Sequence, residues 1–489
     1  MRAISENFGT LARITLITRG DRDLEMNPTT LTQIAEFAGG AVTQGNGGHL
    51  IAKISTDSRT LRAGDLFVAL RGENFDAHQF VAQAAKAGAI GAVVEERWPG
   101  NASGNFSLIR VADTLSAYQQ IAFNYRRSLS LKVIAITGSN GKTSTKDFVA
   151  AVLEKKFRVT KTEGNLNNHV GLPRTILKAS SADEMAVWEI GMNHPGEVAR
   201  LAKIAGSDVA IITNIGVAHI EFMGSREAIA REKGELAAAV PPTGTVILNG
   251  DDPFSETIAQ LTPAKIILAG IERGTMQARE IHQSTDGAEF TLVEGAHRCH
   301  AVLPVPGSHM VQNALLAVTA GRVFGISLED CAAGLAAAPL TEARLQIKTI
   351  HGLQFIDDSY NANPDSTRAA LRTLSELETD GRRIAVLGQM TELGVESEKG
   401  HREVGECAGK LGLDQLIALG KGAIEIVAAA RAAGLANSIA AASAIEAAEL
   451  LHESGRPGDL VLVKGSRSAR MERVLEEFAR CESEVGCSP

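Results

Sequence analysis

Residues 136–145 read Ile-Thr-Gly-Ser-Asn-Gly-Lys-Thr-Ser-Thr, and the apolar run Val133-Ile134-Ala135-Ile136 leads straight into them. A strand that ends in a Gly-rich turn and opens a helix makes a phosphate cradle. Backbone N–H groups of the turn and the helix N-terminus point at the anion. Gly138, Ser139, Asn140 and Gly141 form the turn and Ser144 lies just inside the helix. Lys142 can reach the terminal phosphates, and the Thr143 hydroxyl can hold Mg²⁺. The general loop of this kind is G-x-x-x-x-G-K-[ST], but the position of its first glycine holds Ile136. The turn is therefore a shorter T-G-x-x-G-K-T form. A chance Gly-Lys-Thr is common in loops. The β-run before it and the recurrence of Phe148, Val149, Val152 and Leu153 after it argue for a true strand–turn–helix, with the helix starting near Thr143. Nucleoside triphosphate chemistry is the first expectation.

The rest of the chain suits a multidomain enzyme. Its 489 residues suggest roughly three domains. Net charge is −8 with no Lys/Arg-rich run, and aromatics are 4%, so neither a basic face nor a base-stacking platform for nucleic acid is expected. The five cysteines, Cys299, Cys331, Cys407, Cys481 and Cys487, are odd in number and include no C-x-x-C pair. They read as free thiols in a reducing, cytoplasmic setting. No apolar stretch approaches the length of a membrane span. Residues 1–25 read as a loose extension, without a signal-peptide cleavage site, and Met26 is an alternative start.

Three α/β parts are expected. Residues 26–128 carry strands at Ile51–Ile54, Leu66–Leu70 and Ile90–Val94 and a helix at Phe80–Ala87, with Arg126–Ser128 closing the part as a linker. Residues 129–340 alternate strands and helices more clearly, at Val133–Ile136, Val159–Lys161, Met185–Ile190, Val209–Thr213, Val246–Leu248 and Lys265–Leu268. That pattern predicts a mostly parallel, doubly wound sheet. The alternation restarts over residues 341–489, with strands at Phe355-Ile356, Arg383–Leu387, Leu416–Leu419 and Leu460–Val463. Ligands of such sheets bind beyond the carboxyl ends of the strands, so the residues there are the candidates.

Glu189 ends the run Val187-Trp188-Glu189 and can join a Mg²⁺ site, or be a solvated strand-end acid. Asn193 and His194 follow in an Asn-His-Pro-Gly turn. His219 follows the Val209–Thr213 strand, where a neutral imidazole can bind a cation or orient a phosphate. Lys233 lies in the helical stretch Ser225–Leu236, followed by Gly234, and by itself reads as an ordinary solvated lysine. Asn165-Leu166-Asn167-Asn168-His169 can bind a polar ligand or cap a turn. Ser55-Thr56-Asp57-Ser58-Arg59 offers hydroxyls and a guanidinium suited to a diphosphate, or a plain Asp-Ser turn beside a surface arginine.

Taken in order, these pieces resemble the Mur ligase family over residues 27–480. The short loop matches that family's form. Thr162-Glu-Gly-Asn-Leu-Asn-Asn-His-Val-Gly-Leu-Pro173, Glu189-Ile-Gly-Met-Asn-His-Pro-Gly196 and Asp357-Asp-Ser-Tyr-Asn-Ala-Asn-Pro364 match it too, with Leu387-Gly-Gln-Met-Thr-Glu-Leu-Gly394 and Val463-Lys-Gly-Ser-Arg467. The resemblance implies an N-terminal UDP-sugar domain, a central ATP domain and a Rossmann-like C-terminal domain for the incoming dipeptide. It implies an ATP-dependent ligase that adds D-alanyl-D-alanine to UDP-N-acetylmuramoyl-tripeptide through an acyl phosphate, working as a monomer.

The resemblance also implies residue roles. Lys142 would stabilise the transferred phosphoryl group. Thr143 and Glu189 would hold a first Mg²⁺ and His219 a second. Lys233 matches a lysine that is carbamylated in related ligases, which would turn a cation into a metal-binding anion. Asn313, in Gly307-Ser-His-Met-Val-Gln-Asn313, would contact adenine, and Arg344 and Asp358 would clamp ATP from the third domain. Ser58, Arg59, Asn74, Asp76, His78, Asn167 and Asn168 would bind the UDP-peptide, with Ala77 standing where the family commonly has Gly. Tyr360, Asn361, Lys464 and Ser466 would meet the dipeptide. The sister ligase that adds the third amino acid carries an Asp-Asn-Pro-Arg signature absent here. Folylpolyglutamate synthetases lack the N-terminal domain. A non-catalytic nucleotide sensor would not need Lys142, Glu189, His219 and Lys233 together.

Overall fold

The computed structural model of the protein describes residues 26–72, 75–101, 104–339 and 341–485. The 1–25 extension, Asn74 and Cys487 lie outside these residues, as does the side chain of Cys481. The chain forms two compact units, one reaching to Leu129 together with Ile176–Ser181, the other made of Ser130–Thr175 and the residues from Ala182 onward.

The first unit holds a five-stranded sheet in the order Ala41–Gln44, Ser107–Val111, Gly91–Glu95, Leu66–Val68, Ile54–Ser55. Only the first pair is antiparallel. The expected strand Ile51–Ile54 is broken in two, because Ile51 and Ile54 are both buried. Residues three apart on one strand point to opposite faces. The chain turns between them, so that Leu50–Ile51 pairs with Thr29–Thr30 while Ile54–Ser55 joins the main sheet. Arg126–Ser128 is not a linker but the last turn of the helix Thr114–Ser128. The Arg126 guanidinium donates to the carbonyl of Leu129, where basic groups suit the helix dipole. Tyr125 Oη donates to the Ala179 carbonyl at 2.7 Å, tying residues 176–181 into this unit.

The second unit is built on two sheets. The larger has nine strands, in the order Val159–Lys161, Met185–Glu189, Lys132–Thr137, Val209–Ile212, Thr245–Asn249, Lys265–Ala269, Met276–Ser284, Gly287–Glu294, His297–Leu303. It is parallel as far as Met276–Ser284, and the last three strands form an antiparallel meander that the sequence reading left out. The parallel strands read as continuous apolar runs because helices cover both faces. Lys142–Leu153 packs on the helix Ser308–Val323, which is buried on nearly every side. Trp188, wholly buried, fills the strand that ends at Glu189. The second sheet has six strands, in the order Gln346–Ile350, Leu353–Asp358, Leu460–Lys464, Arg383–Gly388, Gln415–Leu419, Ser438–Ala441, parallel except for the first pair. One contiguous apolar cluster runs from Ile134 and Ile136 through Leu316 to Leu371 and Leu462, so the two lobes of this unit share a core.

The register sets up the site. Ile136 pairs with Glu189 and Thr137 with Ile212, so three strand ends open onto one edge. Gly138, at φ 150°, begins the turn. A β-carbon there would fall 1.9 Å from Thr213 Oγ1, which itself donates to the Asn140 carbonyl at 2.5 Å. Gly138→Ala is therefore expected to lower the stability of the second unit by about 1–3 kcal/mol, the usual cost of overpacking, read by denaturant melting. A melt identical to the parent would mean that the turn relaxes freely.

Candidate active site

The carboxyl edges of both sheets in the second unit face one cavity of about 1100 Å³, lined by residues of the phosphate-cradle turn, the strand ends around it and loops of the C-terminal lobe. The Lys142 amine donates to the Gly138 carbonyl at 2.9 Å, folded back on its own turn. Burial, outweighing the Glu189 carboxylate, holds its pKa below the ordinary lysine value, and the Arg344 charge acts in the same direction. Gly141, at φ 80°, lets Asn313 approach, since a β-carbon would lie 2.5 Å from Asn313 Oδ1. Asn313 is thus seated directly over the turn.

Glu189 is 2% exposed. A buried carboxylate is costly unless its oxygens are satisfied, and here each has a donor. Asn167 Nδ2 donates to Oε1 at 2.8 Å and Thr143 Oγ1 to Oε2 at 3.0 Å. Thr143 Oγ1 in turn accepts from the Arg344 guanidinium at 3.2 Å. Arg344 lies over the Tyr360 ring, 4.4 Å from its centroid, and its buried Nε has no hydrogen-bond partner among the described residues. Ala343 and Leu345 on either side hold positive φ, a strained conformation for residues with a β-carbon. Among the described residues no group of three or more His, Cys, Asp or Glu converges. One carboxylate and one hydroxyl fit Mg²⁺, which keeps waters and takes substrate phosphates rather than filling a protein cage.

His219 lies on the same wall, in the left-handed region at φ 62°. Its Nδ1 is 2.6 Å from Glu392 Oε2 of the C-terminal lobe. Hydrogen bonding to His219 holds the Glu392 carboxyl below its usual range, against the effect of burial. Asp358 Oδ2 accepts from Lys464 Nζ at 2.6 Å, and the same amine donates to the Asn361 carbonyl at 2.9 Å. Tyr360 and Asn361 complete that wall. Two further contacts join the lobes: Asn363 Nδ2 donates to Asn140 Oδ1 at 2.7 Å, and the Val217 N–H donates to Asp365 Oδ2 at 2.8 Å.

Several candidates stand elsewhere. Lys233 does not line the cavity. It is 1% exposed on the helix Arg226–Ala238, with no hydrogen-bond or ion-pair partner among the described residues. Burial, with the Lys142 charge, holds its amine well below the ordinary lysine range, and Glu232 opposes this only in part. Its neighbour Gly234 makes room for Leu261, whose Cδ1 a β-carbon would meet at 2.4 Å. Ser466 is buried off the cavity, and Ser468 lines it instead. Asn167 and Asn168 line the cavity beside Glu189, and Asn168 also caps the turn at Val170 and Gly171.

Ser58, Arg59, Asp76 and His78 belong to the first unit. The Arg59 side chain is 83% exposed and makes a two-pronged pair with Asp57 at 2.9 and 2.8 Å. His78 is buried, with Nδ1 2.6 Å from Asp76 Oδ1 and Nε2 accepting the Glu95 N–H at 2.9 Å, so both ring nitrogens are in use. Ala77 opens a short 3-10 helix and needs no glycine conformation.

Sequence reasoning missed Glu392, Asp365 and His309. Glu392 and Asp365 follow the ends of strands Arg383–Gly388 and Leu353–Asp358, the positions that the strand-end rule marks. His309 lies beside Asp358 and Lys464, where burial, aided by the Lys464 charge, pushes its pKa down to about 4 against the pull of Asp358.

Comparison with known proteins agrees with this geometry. The sequence model of the Mur ligase middle domain matches residues 136–321, that of the Mur ligase glutamate ligase domain residues 343–467, and that of the Mur ligase family catalytic domain residues 50–125. The UDP-N-acetylmuramoyl-tripeptide–D-alanyl-D-alanine ligase of Bacillus subtilis is 39% identical over 88% of this chain and 93% of its own length. That of Escherichia coli is 36% identical over 93% of this chain and 100% of its own. A crystal structure of MurF from Acinetobacter baumannii superposes with a TM-score of 0.86 at 34% identity, covering 93% of this chain and 100% of that one. MurF from Thermotoga maritima in complex with ADP does so with a TM-score of 0.80 at 28% identity, covering 88% of this chain and 98% of that one. With the phosphate-cradle turn, the buried Glu189 and the arginine of a second lobe on one cavity, the chain belongs to the Mur ligase family.

Proposed function

We propose that the cavity of the second unit is where ATP, a carboxylate and an amine are brought together. The chain is an ATP-dependent ligase that forms a C–N bond, joining D-alanyl-D-alanine to UDP-N-acetylmuramoyl-tripeptide in peptidoglycan synthesis. The observation that carries the site is the convergence of Lys142, Thr143, Glu189 and Arg344, from two lobes, on one wall.

A carboxylate is a poor acceptor for an amine, so it must be activated first. An oxygen of the tripeptide's terminal carboxylate attacks the γ-phosphorus of ATP and ADP leaves, giving an acyl phosphate. The D-Ala-D-Ala amine attacks the acyl carbon, loses a proton, and phosphate departs as the amide forms. Catalysis of this kind is mostly positioning and neutralisation of charge. Lys142 would swing from the Gly138 carbonyl to the phosphoryl group in flight. Gly138–Ser144 would cradle the phosphates, Asn313 would face adenine, and Arg344 and Asp358 would close from the second lobe. Mg²⁺, held by Thr143 and Glu189 with a second ion near His219, supplies charge neutralisation when bound. Asp358 through Asn361, Lys464 and the neighbouring Ser468 would meet the dipeptide, and Ser58, Arg59 and Asp76 would hold the UDP group. The enzyme is read as a monomer, and nucleotide-linked substrates suit a cytoplasmic setting.

Lys233 suits carbamylation. CO₂ adds only to a neutral amine, and this amine is driven toward neutrality by burial and by Lys142. CO₂ would bond to the amine nitrogen with loss of a proton, and the carbamate would carry a negative charge.

Phosphate release is expected only when ATP, UDP-MurNAc-tripeptide and D-Ala-D-Ala are all present. Release that ignores the dipeptide would overturn the assignment. Lys142→Ala is expected to lower kcat by at least about 10²–10³-fold, as loss of one charge-stabilising donor does, with an unchanged melt. Near-parental ligation would remove Lys142 from the reaction. Lys233→Ala is expected to be inactive and partly rescued by a short carboxylate in the buffer, while full activity without rescue would count against the carbamate.

A further inference from the structure

The loop that carries His219 is held by two different lobes. Its first residues are fixed within the central lobe: the Ile215 N–H donates to Asp252 Oδ2 at 2.7 Å and the Gly216 N–H to Ser139 Oγ at 2.8 Å. Val217, His219 and Glu221 take partners from the C-terminal lobe. The Val217 N–H donates to Asp365, the Glu221 N–H to the Glu392 carbonyl at 3.3 Å, and His219 Nδ1 sits against the Glu392 carboxylate. His219 and Glu392 both occupy the left-handed region, at φ 62° and 63°. Such strain persists only where surrounding contacts over-determine it.

We infer that Glu392 is a positioning residue, brought by the C-terminal lobe to hold the His219 ring with its proton on Nδ1, so that Nε2 is the atom left for a ligand. The contact is poorly aligned as a hydrogen bond, but two lone pairs would repel at 2.6 Å, and the carboxylate draws the ring proton to the nitrogen beside it. Nε2 has no hydrogen-bond partner among the described residues, and the residue lines the cavity. An outer carboxylate that fixes the tautomer of a ligating histidine is a general device of metal sites. Here the carboxylate lies on the other lobe, so the imidazole is set only when the lobes are docked. The value of this for catalysis rests on the reading of His219 as a Mg²⁺ or phosphate ligand; the tautomer itself does not.

Two readouts test it. Nitrogen-15 NMR of histidine-labelled protein, with His219→Gln to assign the signal, reports the ring tautomer at a pH where the imidazole is neutral. The Nδ1–H form is expected in the parent and in Glu392→Gln, whose amide oxygen still accepts, and a shift toward Nε2–H in Glu392→Ala. An unchanged tautomer in Glu392→Ala overturns the inference. In ligation assays, Glu392→Ala is expected to raise the Mg²⁺ needed for half-maximal rate by about 10–100-fold with the KM for the UDP substrate unchanged, and Glu392→Gln to restore most of the loss. If His219→Ala raises the Mg²⁺ requirement and Glu392→Ala does not, the inference fails. If His219→Ala itself leaves the requirement unaltered, the reading of His219 as a ligand fails, and the NMR arm still decides the role of Glu392.

Discussion

A carboxylate kept almost wholly out of water at the end of a strand constrains everything around it. A buried carboxylate is costly unless its oxygens are bonded and positive charge is near. The fold meets that demand by pairing its strand directly with the one that ends in the phosphate-cradle turn, so Thr143 falls on one oxygen and Asn167 on the other. The same geometry concentrates anionic and cationic groups where a nucleotide's phosphates and a divalent cation would complete the balance. Lys142, folded back on the Gly138 carbonyl, needs only rotamer changes to take part.

The second lobe shares this constraint. Arg344 reaches Thr143 from a backbone segment strained on both sides, and Thr341, three residues earlier, donates to Asp147 on the helix that follows the turn, at 2.7 Å. Asn363 and Asp365, at the start of the helix Pro364–Glu376, grip Asn140 and Val217. The segment between the lobes is therefore tied to the cradle helix at one end and to the cradle's own threonine at the other. A ligase must exclude water from an acyl phosphate while admitting an amine, and a wall made by two lobes does this by docking.

Much of the site was legible along the chain because strand, turn and helix are local patterns. Lys142, Thr143 and His219 follow, and Glu189 ends, apolar runs that read as buried strands, and ligands collect at such ends. The antiparallel meander over Met276–Leu303 was missed, since its alternation is broken by a bulge between Arg279 and His282. The splitting of Ile51–Ile54 and the helical Arg126–Ser128 turned on which faces are buried, which period alone does not tell. Ser466 was expected to meet the dipeptide only through the family resemblance, and its N–H is taken by the Gln389 carbonyl while Ser468 lines the wall.

By itself the sequence determined the α/β class, the shortened phosphate loop and the strand-end residues, because each depends on neighbours within a few positions of the chain. Only the tertiary structure decided which distant groups meet. The partnership of Glu392 with His219 spans two sheets, and that of Arg344 with Thr143 spans 201 residues. It also decided that Lys233 is no solvated helix lysine but a buried amine driven toward neutrality. Burial and long-range charge are properties of packing, and no local pattern of residue types carries them.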